Sequence, residues 1–173
     1  VHDCWKPHFK TGTAGHQLCI AHLLRELKYL EERFEHSWAT SFRELLMDAL
    51  NLKKKLTRVQ YFHPLKERSQ IEKRLGLLLE QELPPGMKDV QTFQNRMCRY
   101  KDYLFTFLYH PDVPPDNNAS ERAIRNIKVK QKISGQFKSP FGANCFAILR
   151  SITDTCIKNN QNILNALKLI AQS

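Results

Sequence analysis

Apolar residues recur at helical spacing through most of the first 108 positions, and this pattern narrows the possible folds more than any other feature. Leu23, Leu27, Leu30 and Phe34 fall at i, i+4, i+7 and i+11, one face of a helix that starts near Ala21. After a break around Ser37, the residues Phe42, Leu45, Leu46, Ala49, Leu52 and Leu56 repeat the pattern. Ile71, Leu75, Leu78 and Leu79 mark a third helix, which Pro84-Pro85-Gly86 should end. Val90, Phe93, Met97, Tyr100, Leu104 and Phe107 keep a near-heptad stripe through a fourth. Long antiparallel helices over residues 41–108 follow, with the stripes packed as core.

The rest of the chain is more varied. Val1 reads as the tail of a strand, Thr11-Gly12-Thr13-Ala14-Gly15 as a turn, and His16 to Ile20 as a short strand leading into a helix. Pro111, Pro114 and Pro115 stop the fourth helix, and a new one starts near Ala119. Lys128 to Ser134 alternates basic and apolar residues, which predicts a strand or extended basic segment. Gly135 to Gly142 is a loop. Ala143 to about Asn159 and Ile163 to Ala171 are the last helices, separated at Asn159-Asn160.

Charge points to a partner. Lys and Arg number 27 against 17 Asp and Glu, a net charge of +10 over 173 residues, which favours a polyanion such as nucleic acid. A hydrophobic fraction of 42% argues against wholesale disorder. No apolar run reaches the ~18 residues of a membrane span, so no membrane partner is expected. The start, Val1-His2-Asp3-Cys4-Trp5, has neither an initiator Met nor signal-peptide character, so the chain reads as a fragment or processed product. Cys4, Cys19, Cys98, Cys145 and Cys156 are odd in number and scattered, which predicts reduced thiols and a cytoplasmic location.

The most specific stretch is Pro115-Asp116-Asn117-Asn118-Ala119-Ser120-Glu121-Arg122-Ala123-Ile124-Arg125. It puts a carboxylate on the first turn of a helix beside two arginines. Asn118 and Glu121 match a capping box, and Glu121 to Arg125 is an i,i+4 ion pair, so Glu121 has a sufficient structural role. The functional alternative is a metal-binding carboxylate, with Arg122 and Arg125 on phosphate. From Glu121 to Lys138 there are six basic residues and one acidic, and that net charge of +5 is half the chain's total. A phosphate-tracking strip including Lys128, Lys130 and Lys132 accounts for this concentration better than a solvated face.

This stretch resembles the DNNxxERxIR signature of bacterial insertion-sequence transposases of the family numbered sixty-six. The downstream order agrees: a basic segment, then Phe141-Gly142, then a helix containing Ile148-Leu149-Arg150-Ser151-Ile152-Thr153-Asp154-Thr155. His2-Asp3-Cys4-Trp5 followed by His16-Gln17-Leu18-Cys19-Ile20-Ala21-His22-Leu23-Leu24-Arg25 is similar to the family's aspartate strand and its H-x-x-C-x-A-H-x-x-R block. Residues 31–108 match only in position and character.

The resemblance implies a DDE recombinase whose core is RNase H-like and whose three carboxylates hold two Mg²⁺ (or Mn²⁺) ions. Asp3 corresponds to the second aspartate and Glu121 to the glutamate. The first aspartate is expected upstream of Val1. The fold expected for this chain is therefore mainly α: a partial RNase H-like α/β core lacking its first strands, with a helical insertion. Residues 1–30 would be core remnant, 31–110 the insertion, and 111–173 the C-terminal part of the core with the glutamate helix. The parent would be an enzyme that cleaves and joins DNA, and a homo-oligomer. This chain alone would bind DNA but be catalytically inactive, with no metal held.

Three further readings stay open. Cys19 and His22 have metal-ligand spacing and with Cys4 and His8 suggest zinc, but support of the site through packing and hydrogen bonds is preferred. Trp5 could stack on a base, although packing is the more usual role. Arg25, Lys28 and Arg33 could contact phosphate or form a solvated face. Cys98, Cys145 and Cys156 read as small core residues. The rival functions are a non-enzymatic helical nucleic-acid-binding module and an assembly module.

Overall fold

The computed structural model describes residues 1–10, 12, 15–34 and 37–172. The chain is mainly α. Its helices are α1 (Ile20–Phe34), α2 (Ser37–Lys55), α3 (Lys66–Glu80), α4 (Lys88–Arg99), α5 (Thr106–Tyr109), α6 (Asn118–Ser134), α7 (Pro140–Lys158) and α8 (Ile163–Ala171). It divides into two compact units, Val1–Asn118 and Ala119–Ser173.

The first unit is a helical block. Leu23, Leu27 and Leu30 of α1, Trp38, Phe42, Leu45, Leu46 and Ala49 of α2, Ile71 and Leu75 of α3, and Val90, Phe93 and Met97 of α4 form one buried cluster. Apart from Trp38, these are the positions the apolar stripes single out. Trp38, Phe42 and Phe93 meet as an aromatic triplet, with ring centroids 5.1 to 6.1 Å apart. Trp38 Nε1 also donates to the Leu78 carbonyl at 2.8 Å.

The expected fourth helix is not continuous. It ends at Arg99, and Lys101–Tyr103 forms a 3₁₀ turn before the short α5. The cause is competition for backbone groups. In an uninterrupted helix the Phe107 amide would donate to the Tyr103 carbonyl. Here Tyr103 O accepts the Leu18 amide at 2.9 Å, and Phe107 N donates to Gln17 Oε1 at 2.9 Å. Gln17 Nε2 also takes the Leu104 carbonyl at 2.9 Å. Residues 17 and 18 thus replace the helix's own ladder.

The strands expected at Val1 and at His16–Ile20 do not form. An isolated parallel bridge pairs His2 with Leu18, and no strand occurs among the described residues. The turn expected at 11–15 and the helix break before Ser37 lie partly outside the described residues.

In the second unit, Lys128–Ser134 is helical rather than extended. It continues α6, which runs to Ser134 and stops at Gly135 (φ 68°). A period-two run this short fits either structure, and a helix already under way extends at little cost. α7 starts three residues earlier than expected, because Ser139 caps it by accepting from Gly142 N at 3.1 Å and Pro140 suits the first turn. Asn160 adopts φ 53° at the expected break, and Asn162 caps α8. Among the described residues of this unit only Cys156 is buried, while Ile133, Phe141, Leu164 and Leu169 are exposed.

Candidate functional site: two carboxylates and a basic helix

The front of the first unit is tied down by backbone. The His2 amide donates to Gln17 O at 3.0 Å, and Cys19 N donates to His2 O at 2.8 Å. Both bonds hold His2, the residue that precedes Asp3. Asp3 itself is exposed, and its Oδ1 accepts the Trp5 amide at 3.1 Å and lies 3.6 Å from His8 Nε2. The carboxylate therefore closes an Asx turn while part of it faces solvent.

His2, which precedes Asp3, belongs to a cluster of rings with His8, Phe9 and His16, and Phe9 in turn meets Tyr100 and Tyr103. Phe9 stacks on Tyr100 at 4.2 Å, and His2 Nε2 meets His16 Nδ1 at 3.0 Å. Burial pushes the His2 imidazole below its ordinary value. His16, His8 and the N-terminal amine act the same way, against the Asp3 carbonyl. Burial pushes the Cys4 thiol up, with the Arg96 guanidinium opposing.

Cys19 is 1% exposed, and its carbonyl accepts the His22 amide at 3.1 Å. It immediately precedes α1, and its amide bond to His2 O helps fix the Asp3 turn. His22 is half-buried. Among the described residues no group of three or more His, Cys, Asp or Glu is gathered to hold a metal ion, so Cys4, His8, Cys19 and His22 do not form the zinc set the spacing suggested. Asp3 and Glu121 are oxygen donors of the kind Mg²⁺ prefers, but they belong to different units and to no such group.

The signature spans the start of α6. Asn118 is its first residue, and the Asn118 amide donates to Asp116 Oδ1 at 3.0 Å, so the helix starts one position sooner than a cap at Asn118 would. Glu121 lies in the first turn. Ile20 N donates to Pro115 O at 2.9 Å, which ties the proline-rich connector to the head of α1. Asn117, within the same signature but given no role above, has its Oδ1 buried with no hydrogen-bond partner.

Helical geometry sorts the basic residues. At about 100° per residue, Glu121, Arg125, Lys128 and Lys132 fall in one row with Arg122 beside them. Arg122, Arg125, Lys128 and Lys132 are all exposed. Lys130 lies nearly half a turn away and is half-buried, so the expected strip loses that member.

Two other expectations change. Trp5 is 61% exposed, so it is not a packing residue. Cys98 is exposed at the surface of α4, because its position falls off the buried Val90–Phe93–Met97 face. On α1, Arg25 Nε donates to Ala21 O, Lys28 pairs with Glu32, and Arg33 pairs with Asp89, which makes this a locally satisfied solvent face. A groove of about 700 Å³ between α2 and α3, lined by residues including Asp48, Lys55 and Arg74, contains none of the candidates.

Among the described residues no helix is long and apolar enough to cross a membrane. No solved structure matches the chain. An uncharacterized protein of Sinorhizobium fredii (strain NBRC 101917 / NGR234), y4jO, is 36% identical over 76 residues, which is 44% of this chain and 24% of that protein. The matched segment is thus about a quarter of that relative's length. The profile of the Transposase IS66 family matches residues 1–145, both candidate carboxylates and the whole of α6 included, and the chain belongs to that family.

Proposed function

We propose that this chain is the glutamate-bearing part of the catalytic region of a DNA transposase of the DDE type. Asp3 and Glu121 are two of its three metal-binding carboxylates, and Arg122, Arg125, Lys128 and Lys132 hold DNA phosphate. Residues 31–110 are a helical insertion in an RNase H-like core. The observation that carries this reading is the Asp116–Arg125 signature at the head of α6, with Glu121 in its first turn and four exposed cations along its length.

In the intact transposase, bound Mg²⁺ would activate the attacking hydroxyl and stabilise the leaving oxygen at phosphorus. The chain's own residues do the rest. The His2–Cys19 and His2–Gln17 backbone bonds hold the Asp3 turn. Cys19 and His22 support that turn at the head of α1. The row on α6, about 16 Å long at 1.5 Å per residue, lies alongside a nucleic-acid backbone and sets its register. Asn118 starts the helix that carries Glu121.

The test is titration of fluorescein-labelled duplex DNA with the 173-residue chain at several salt concentrations. Affinity should fall linearly on a log–log plot, losing about 0.9 in slope per phosphate contact removed. No binding at low salt, or binding indifferent to salt, sinks the reading. For the catalytic part, metal-dependent cleavage by the intact transposase should vanish in both Asp3→Asn and Glu121→Gln. Cleavage that survives both removes these residues from the metal site.

A further inference from the structure

The protein has two tryptophans, and the fold treats them oppositely. Trp38 is 1% exposed in the core, whereas Trp5 is 61% exposed two residues after Asp3. Leaving an indole in water forgoes one of the larger burial gains available to a side chain. Its pose is nonetheless held. Trp5 N donates to Asp3 Oδ1 at 3.1 Å, and Trp5 O accepts His8 N at 3.1 Å. The next residues form the 3₁₀ turn Lys6–Lys10, with φ restricted at Pro7. That turn is anchored from behind by the Phe9–Tyr100 stack. The indole meets His8 with planes 74° apart, so the two rings are not stacked. Lys6 and Lys10, in the same turn, are both exposed.

An anchored, open aromatic beside a carboxylate, followed by a turn that carries the exposed Lys6 and Lys10, fits one ligand class well. We propose that Trp5 stacks on an unpaired base of single-stranded DNA next to the Asp3 turn, with Lys6 and Lys10 on the adjoining phosphates. Duplex bases already have both faces covered by their neighbours, so the indole selects unpaired nucleotides. Base–aromatic stacking is tolerant of base identity, and the site reads strandedness rather than sequence. The proposal rests on the DNA reading above and adds to it a subsite for melted strand.

Intrinsic fluorescence tests it directly, because Trp5 is the exposed emitter and Trp38 is buried. Oligothymidylate, whose bases stack poorly on one another, is titrated into the 173-residue chain, with labelled oligothymidylate and labelled duplex followed in parallel by anisotropy. Oligothymidylate should quench the emission. Trp5→Ala should weaken single-strand binding at least about 5-fold, the equivalent of about 1 kcal/mol for one lost stack. Trp5→Phe should keep most of that affinity, and duplex affinity should be unchanged in both variants. Matching far-ultraviolet circular dichroism melts would show that the variants fold. Single-strand binding without quenching, or undiminished in Trp5→Ala, overturns the proposal. Duplex binding with no single-strand binding overturns it while the DNA reading stands. Failure to bind either form at low salt overturns both.

Discussion

Gln17 Oε1 accepts the amide of Phe107 at 2.9 Å, joining residues 90 positions apart in the chain. The same side chain donates to Leu18 O at 2.7 Å and Leu104 O at 2.9 Å, and it is 2% exposed. One amide thus splits what would be a single helix and holds the segment leading to Cys19 and α1.

Gln17→Leu should therefore be costly. It leaves the Phe107 amide and the Leu104 carbonyl buried without partners, at roughly 1–3 kcal/mol each. Urea denaturation of the chain should show a loss of about 2–6 kcal/mol. A loss below about 0.5 kcal/mol, the level of an ordinary surface change, would show that the clasp does not hold the two segments together.

Phe42 sits at 0% exposure between Trp38 and Phe93. Phe42→Ala removes a ring from the middle of the cluster and should destabilise the first unit by about 3–5 kcal/mol. Thermal unfolding followed by near-ultraviolet circular dichroism checks this, since the Trp38 environment reports on the same cluster. A melting temperature equal to that of the parent chain would contradict the packing.

Tyr109 predicts an alkaline limit to stability. Burial, then the hydrogen bond to Glu72 and that carboxylate's charge, push its phenol up to about 12, with Arg68 opposing. The unfolded chain releases this proton near pH 10. The stabilisation is then fully present below pH 10 and is lost as pH rises toward 12. Phenolate absorbance should show a late step at about pH 12, and Tyr109→Phe should remove that late step. A late step that persists in Tyr109→Phe assigns it elsewhere.

The row on α6 predicts unequal effects from equal charge changes. Arg125→Gln and Lys128→Gln should each lower the salt slope of duplex binding by about one. Lys130→Gln, half a turn away, should change it much less. Equal losses at all three positions would mean that binding follows net charge and not the helical row.

Much of the helical block was legible in the sequence, because periodic burial of Leu, Phe and Met is a local signal that any partner surface satisfies. The stripe Leu23–Leu27–Leu30 and the buried run Phe42–Leu45–Leu46–Ala49 lie where their spacing predicts. The signature at residues 116–125, together with the His2–Trp5 and His16–Arg25 blocks, also carried the family resemblance. The break after Arg99 was not legible. Val90 to Phe107 keeps its stripe across the break, and only the long-range demand of Gln17 and Leu18 for the Tyr103, Leu104 and Phe107 backbone decides the matter. The period-two run at Lys128–Ile133 misled for the opposite reason: six residues cannot distinguish a strand from the end of a helix already nucleated at Asn118. That helix then decides which lysines share a face. Residue types and their spacing along the chain determined the family, the charge and the apolar faces. Competition for backbone hydrogen bonds and the exposure of Trp5 arise only when distant segments meet, so the tertiary structure alone decided them.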